Sequence, residues 1–143
     1  MDTRDGDDIL VRELKLKIEL FANSSSTRSN IVRIVILADQ ENAGALFTYA
    51  DVIPDGMIGF KNWELRRRWK VIYNKAHYIT KQAGDGISTR LVEIYKKMNH
   101  QVSYLGDTDA TASNGKGSLW LICTPSIATT DEIPDIYFNT RIM

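Results

Sequence analysis

Few residues in this chain are equipped for covalent or metal chemistry: two histidines, one cysteine and a scatter of carboxylates. His77 and His100 belong to no His-x-x-x-His or Cys-x-x-Cys spacing, so neither reads as part of a zinc site. Each is expected to be a surface or internally satisfied imidazole. Cys123 ends the apolar run Ser118–Cys123, where a thiol behaves as a small hydrophobe and burial raises its pKa. Gly115-Lys116-Gly117-Ser118 has the composition of a phosphate loop but not its Gly-x-x-x-x-Gly-Lys spacing. It also leads into a strand, not a helix N-terminus. No nucleophile, acid–base pair or metal cluster assembles from these residues, and the expectation is a protein that is not an enzyme.

Two charged features remain. Asp2, Asp5, Asp7 and Asp8, together with the loop pair Asp107 and Asp109, could offer oxygen ligands to calcium. They lack a fixed-spacing motif and read first as solvated carboxylates. The run Arg66-Arg67-Arg68 with Lys70 opens a strand, and alternation puts Arg66, Arg68 and Lys70 on one face. A phosphate backbone could lie there, or the face could form ion pairs between subunits.

Elements must position these groups, and composition bounds what the elements can be. At 143 residues, 43% hydrophobic and 25% charged, the chain is a single domain large enough for a two-layer core. The zero formal net charge argues against a domain that coats nucleic acid unaided. No apolar run approaches the roughly 20 residues that span a bilayer. A lone cysteine favours a reducing compartment.

The period of the hydrophobic pattern is two along most of the chain. From Ile9 to Phe21, the even positions Leu10, Leu14, Leu16, Ile18 and Leu20 are apolar, while Glu13, Lys15, Lys17 and Glu19 alternate with them. That predicts a half-buried strand. Ile31–Ala38 is β-branched and nearly continuous, a strand buried on both faces. Gly44–Ile53 has helical spacing ended by Pro54, which predicts one short helix in a long connection. Residues 58–65 form a mixed approach, and 66–80 a long strand whose alternation slips at Asn74-Lys75, so that Ala76 and Tyr78 resume the apolar side. Further strands are predicted over 91–98, 101–105 after a turn at Asn99-His100, 118–123 and 136–142. The sum is all-β: a single jelly-roll sandwich of about eight antiparallel strands. Trp69, Val71, Leu119, Leu121, Ile136 and Phe138 are expected between its sheets.

The order of short motifs carries a resemblance. Residues 67–79, Arg-Arg-Trp-Lys-Val-Ile-Tyr-Asn-Lys-Ala-His-Tyr-Ile, resemble the aromatic-Lys-Val-Leu-Tyr-Asp-Lys strand of coat proteins from small circular single-stranded DNA viruses, circovirus-like and geminivirus-like. Glu93–Gly106, Thr111–Ile122 and Tyr137–Ile142 are similar to the hairpin, the loop with penultimate strand, and the terminal strand that follow in those proteins. The coat protein of satellite tobacco necrosis virus is similar in the same order, with a Gly-Asp pair like Gly6-Asp7 and an Ala-Ser-Asn-Gly loop like Ala112–Gly115.

The resemblance implies a jelly roll that self-assembles into an icosahedral homo-oligomer of about 60 copies around a single-stranded genome. Its place would be the virion and the interior of the host cell, the nucleus for a DNA virus of this type. These coat proteins carry a basic arm before the first strand. The arm is expected to be missing from these 143 residues, so its genome-binding role passes to no residue here. In related jelly rolls the inner sheet holds the first, last and long central strands, which implies nucleic-acid-facing Lys15, Lys17, Arg66, Arg68, Lys70 and Arg141. Loops 23–30, 43–61 and 106–117 would make subunit contacts, because the apolar strand faces would be used up by the core. Asp107 and Asp109 would sit at those contacts, with calcium as the only cofactor to consider. Two other classes remain open: a lectin-like jelly-roll module that binds carbohydrate or another ligand, and a cupin-type enzyme, for which the histidine cluster is missing.

Overall fold

The computed structural model describes residues 8–41, 47–54, 59, 62, 67–81, 88–105, 114–129 and 134–143. Among these residues the elements run β1 (Asp8–Phe21), β2 (Asn30–Asp39), α1 (Tyr49–Val52), β3 (Trp69–Ile79), β4 (Thr89–Ser103), β5 (Ser118–Pro125) and β6 (Asp135–Ile142). The strands form two three-stranded antiparallel sheets, ordered β4-β1-β6 and β3-β2-β5. The fold is all-β, with the short helix in the connection after β2.

About eight strands were expected, and six are found among the described residues. The Asn99-His100 turn is absent: β4 runs unbroken from Thr89 to Ser103, merging two expected strands into one. What sits there is an irregularity, since Val11 pairs with His100 but Glu13 with Lys97. That slip also moves Val11 inward and leaves Leu10 48% exposed, reversing the expected faces at the start of β1. The approach over 58–65 lies almost wholly outside the described residues.

Alternation does the packing work. Leu14, Leu16, Ile18 and Leu20 from β1 meet Val32, Ile34 and Ile36 from β2, with Val92, Ile94 and Ile79 completing the buried layer between the sheets. Each such aliphatic side chain contributes about 1.5–3 kcal/mol by leaving water. Leu121 and Ile136 pack against this layer as expected. Trp69 is buried elsewhere. With Val35, Leu37, Val52 and Ile53 it fills a second cluster on the opposite face of β3-β2-β5, under α1 and against Phe47 and Trp120. This explains the unbroken apolar run of β2, whose two faces are both covered. The slip in β3 is real but falls earlier than expected. Tyr73 pairs with Ile36 and Val71 with Leu37, so Ile72 is the extra residue, and His77 and Ile79 turn inward where Ala76 and Tyr78 were expected.

Phe138 departs furthest from expectation. In register with buried Ile18 it occupies an inward-facing position, yet it is 65% exposed. β6 is an edge strand, and β5 does not cover it.

Polar ties hold the layers. Asn30 Oδ1 accepts from the amides of Ile31, Ser126 and Ile127 and from the Ser126 hydroxyl, fastening the start of β2 to the end of β5. Gly117, at φ 80°, donates its amide to the Asp39 carbonyl and accepts from His100 Nε2–H at 2.6 Å, linking one sheet to the other. A Cβ at Gly117 would collide with the Gln101 carbonyl oxygen, so glycine is required both for its dihedral and for this close approach.

Candidate nucleic-acid interface

Of the six expected phosphate-facing residues, the five described do not share a surface. Lys15, Lys17 and Arg141 do lie together on the outer face of β4-β1-β6, as the pairings Lys15↔Arg141 and Lys17↔Asn139 require. β3, however, belongs to the other sheet, and the strand that joins β1 and β6 is β4. Lys70 is therefore removed from that face. Arg68 is committed elsewhere: its Nε and Nη2 donate to the two carboxylate oxygens of Asp39 at 3.0 and 2.8 Å, and its guanidinium lies 4.3 Å from the Trp69 ring centroid. Asp39 is fully buried. The hydrogen bonds to Asp39 raise the Arg68 pKa further above its ordinary range. Arg66, Asp107 and Asp109 lie outside the described residues.

The outer face of β4-β1-β6 is also charge-balanced. Pairing in register brings Lys15, Lys17 and Arg141 together with Glu13, Glu19, Glu93 and Asp135, while Lys97, opposite Glu13 on the edge strand β4, stands between this face and the adjoining open side. Lys17 Nζ stands 2.7 Å from Glu93, whose hydrogen bond holds the ammonium above its ordinary pKa. Lys15 sits 3.8 Å from Glu13 and over the Tyr95 ring, while the Tyr95 hydroxyl donates to Glu13 at 3.1 Å. Desolvation first, and that carboxylate second, raise the Tyr95 pKa. Little net field leaves such a surface.

Unbalanced positive charge gathers on one open side of the sandwich, between the edge strands β3 and β4. Lys70, Lys75, Arg90 and Lys96 pair with Ala38, Ile34, Leu20 and Leu14, so all four occupy inward-facing positions. All are exposed. None forms an ion pair among the described residues. Lys70, Lys96, Lys97 and Met98 line a cleft of about 270 Å³ there, with His100 beside them. The field is felt by His77, buried near this side and hydrogen-bonded to the Tyr73 hydroxyl at 3.0 Å. Burial first, then Arg90 and Lys75, push its pKa down. Lys75, Arg90, Lys96 and Lys97 were missed from sequence. Lys96-Lys97 is a visible doublet, but only the packing of β4 across from β3 joins it to Lys70.

Both histidines are bonded and buried, and burial pushes the Cys123 thiol up to about 11. Among the described residues no three His, Cys, Asp or Glu side chains converge on a metal position, and no helix is long and apolar enough to cross a membrane. No protein-family profile matches the sequence, and no curated protein matches it either.

Proposed function

We infer that this chain is a coat-protein subunit that self-assembles into a small icosahedral shell around single-stranded nucleic acid. The observation that carries the reading is connectivity. Apart from β2 to β3, every connection crosses from one sheet to the other, and the successive pairs β3, β4 and β5, β6 flank the central strands β2 and β1 on their two sides. That winding supports a jelly roll, and the order of motifs along the sequence resembles coat proteins of that fold. An eight-stranded roll would have one further strand beside β6 and one beside β5, whether supplied by the same chain or by a second copy. The cations Lys70, Lys75, Arg90, Lys96 and Lys97 form the surface best suited to a phosphate backbone, ahead of Lys15, Lys17 and Arg141. Calcium at subunit contacts through Asp107 and Asp109 remains part of the proposal.

Particle size tests the reading. The purified chain should yield shells by negative-stain microscopy and light scattering, carrying nucleic acid that high salt releases. A chain that stays monomeric or dimeric across salt, pH and calcium overturns it.

One feature favours a second reading, the ligand-binding module. Phe21 and Tyr137 meet edge-to-face at 5.5 Å beside Glu19 and Asp135, an aromatic surface with carboxylates suited to a sugar ring. Saturable binding on a glycan array, lost in Tyr137→Ala, would decide for it.

A further inference from the structure

The two open sides of the sandwich are unlike. Inward-pointing charges on edge strands bar another strand from docking, and the β3–β4 side carries four of them. β6 carries none. Its inward-facing positions are Ile136, Phe138, Thr140 and Ile142, opposite Leu20, Ile18, Leu16 and Leu14. Phe138 is 65% and Ile142 52% exposed. A cleft of about 470 Å³ opens beside Ile142, lined also by Ile9, Val11, Leu119 and Trp120. The apolar strand faces are thus not used up by the core, which removes the premise for assigning subunit contacts to loops alone.

We propose that a second copy of this chain occupies that edge, its β6 running antiparallel to β6 about a two-fold axis at Phe138. The register follows from charge. With Phe138 opposite Phe138, Asp135 lies opposite Arg141 at both ends, Ile136 opposite Thr140 and Tyr137 opposite Asn139. Centring on Tyr137 or Asn139 also keeps the faces matched, but sets Asp135 against Asn139 or Met143 and loses both ion pairs. Neither Asp135 nor Arg141 has an ion-pair partner within one subunit among the described residues, and Arg141 stands beside Lys15. The pairing therefore satisfies two free charges, extends one sheet across the axis and covers the exposed phenyl ring.

Analytical ultracentrifugation of the 143-residue chain from about 1 to 100 μM, the range where a single strand edge should associate, reads the dimer directly. Asp135→Arg and Arg141→Asp should each weaken it about tenfold by setting like charges opposite one another, and the double exchange should restore it. Phe138→Asp should abolish it with an unchanged circular-dichroism spectrum, because the side chain is exposed in the single copy. In the parent, β6 amides should exchange more slowly as concentration rises. A monomer throughout overturns the proposal. So does protection of β6 that is independent of concentration, which would assign the edge to another strand of the same chain, and so does a dimer indifferent to the charge exchange. The inference is separable from the shell reading. Dimers without particles keep it and sink that reading, and particles indifferent to Asp135 and Arg141 do the reverse.

Discussion

Asp39 shows what a single buried charge demands of the chain. It is fully enclosed and has its ion-pair partner in Arg68, so Arg68→Gln leaves a carboxylate desolvated and under-bonded. That should cost about 3 kcal/mol in urea unfolding, whereas Lys70→Gln, one turn of the pleat away and exposed, should cost under about 0.5 kcal/mol. His77 gives the matching pH prediction. Its folded pKa is depressed below the ordinary 6.5 by burial and by Arg90 and Lys75. The unfolded chain therefore binds the proton more readily, and the stability His77 contributes is present at neutral pH and lost as pH falls below about 6.5. Urea midpoints between pH 7.5 and 5 should fall less in His77→Gln than in the parent. Sequence made both histidines structural and the thiol inert in reactivity, because those conclusions need only local surroundings. It could not see that Arg68 was taken. Its partner is 29 residues away in the chain, and an arginine triplet looks the same solvated or clamped.

At the level of strands, period and composition were enough to find β1, β2, β5 and β6 and the helix after β2, since each carries its own alternation or β-branched run. Where two strands had to be paired, the reading slipped. The extra residue in β3 is Ile72, not Asn74-Lys75, because the bulge answers the register of β2. Asn99 suggested a turn within β4, and pairing with β1 carried the strand straight through. Phe138 makes the same point energetically. An apolar residue at an inward position in an alternating strand looks like core, and its burial depends on whether anything lies opposite. Ile34→Ala, fully buried between the sheets, should cost about 2–5 kcal/mol. Phe138→Ala, measured at concentrations too low for association, should cost less than about 0.5 kcal/mol. Chemical unfolding of the two variants side by side checks both numbers.

Across the whole molecule, the two open sides of the sandwich divide the labour: one basic, one apolar. If the basic side meets nucleic acid, replacing Lys70, Lys96 and Lys97 with Gln should shallow the salt dependence of single-stranded DNA binding by about 0.7 in log–log slope for each phosphate left unneutralised. Replacing Lys15 and Lys17, already balanced by Glu13 and Glu93, should change it little. Titrations at several salt concentrations distinguish the two. The winding also has a consequence for how the chain is made. Among the described strands β1 and β2 are synthesised before the other four, yet each is the middle strand of its sheet, and Asp8 awaits Ser103 as its partner. The centre of each sheet must therefore leave the ribosome long before the strands that flank it. β1, with its run of leucines, stays unpaired until the second half of the chain is translated, so a chaperone that holds extended apolar segments should engage the nascent protein early and release it only after β4 has emerged.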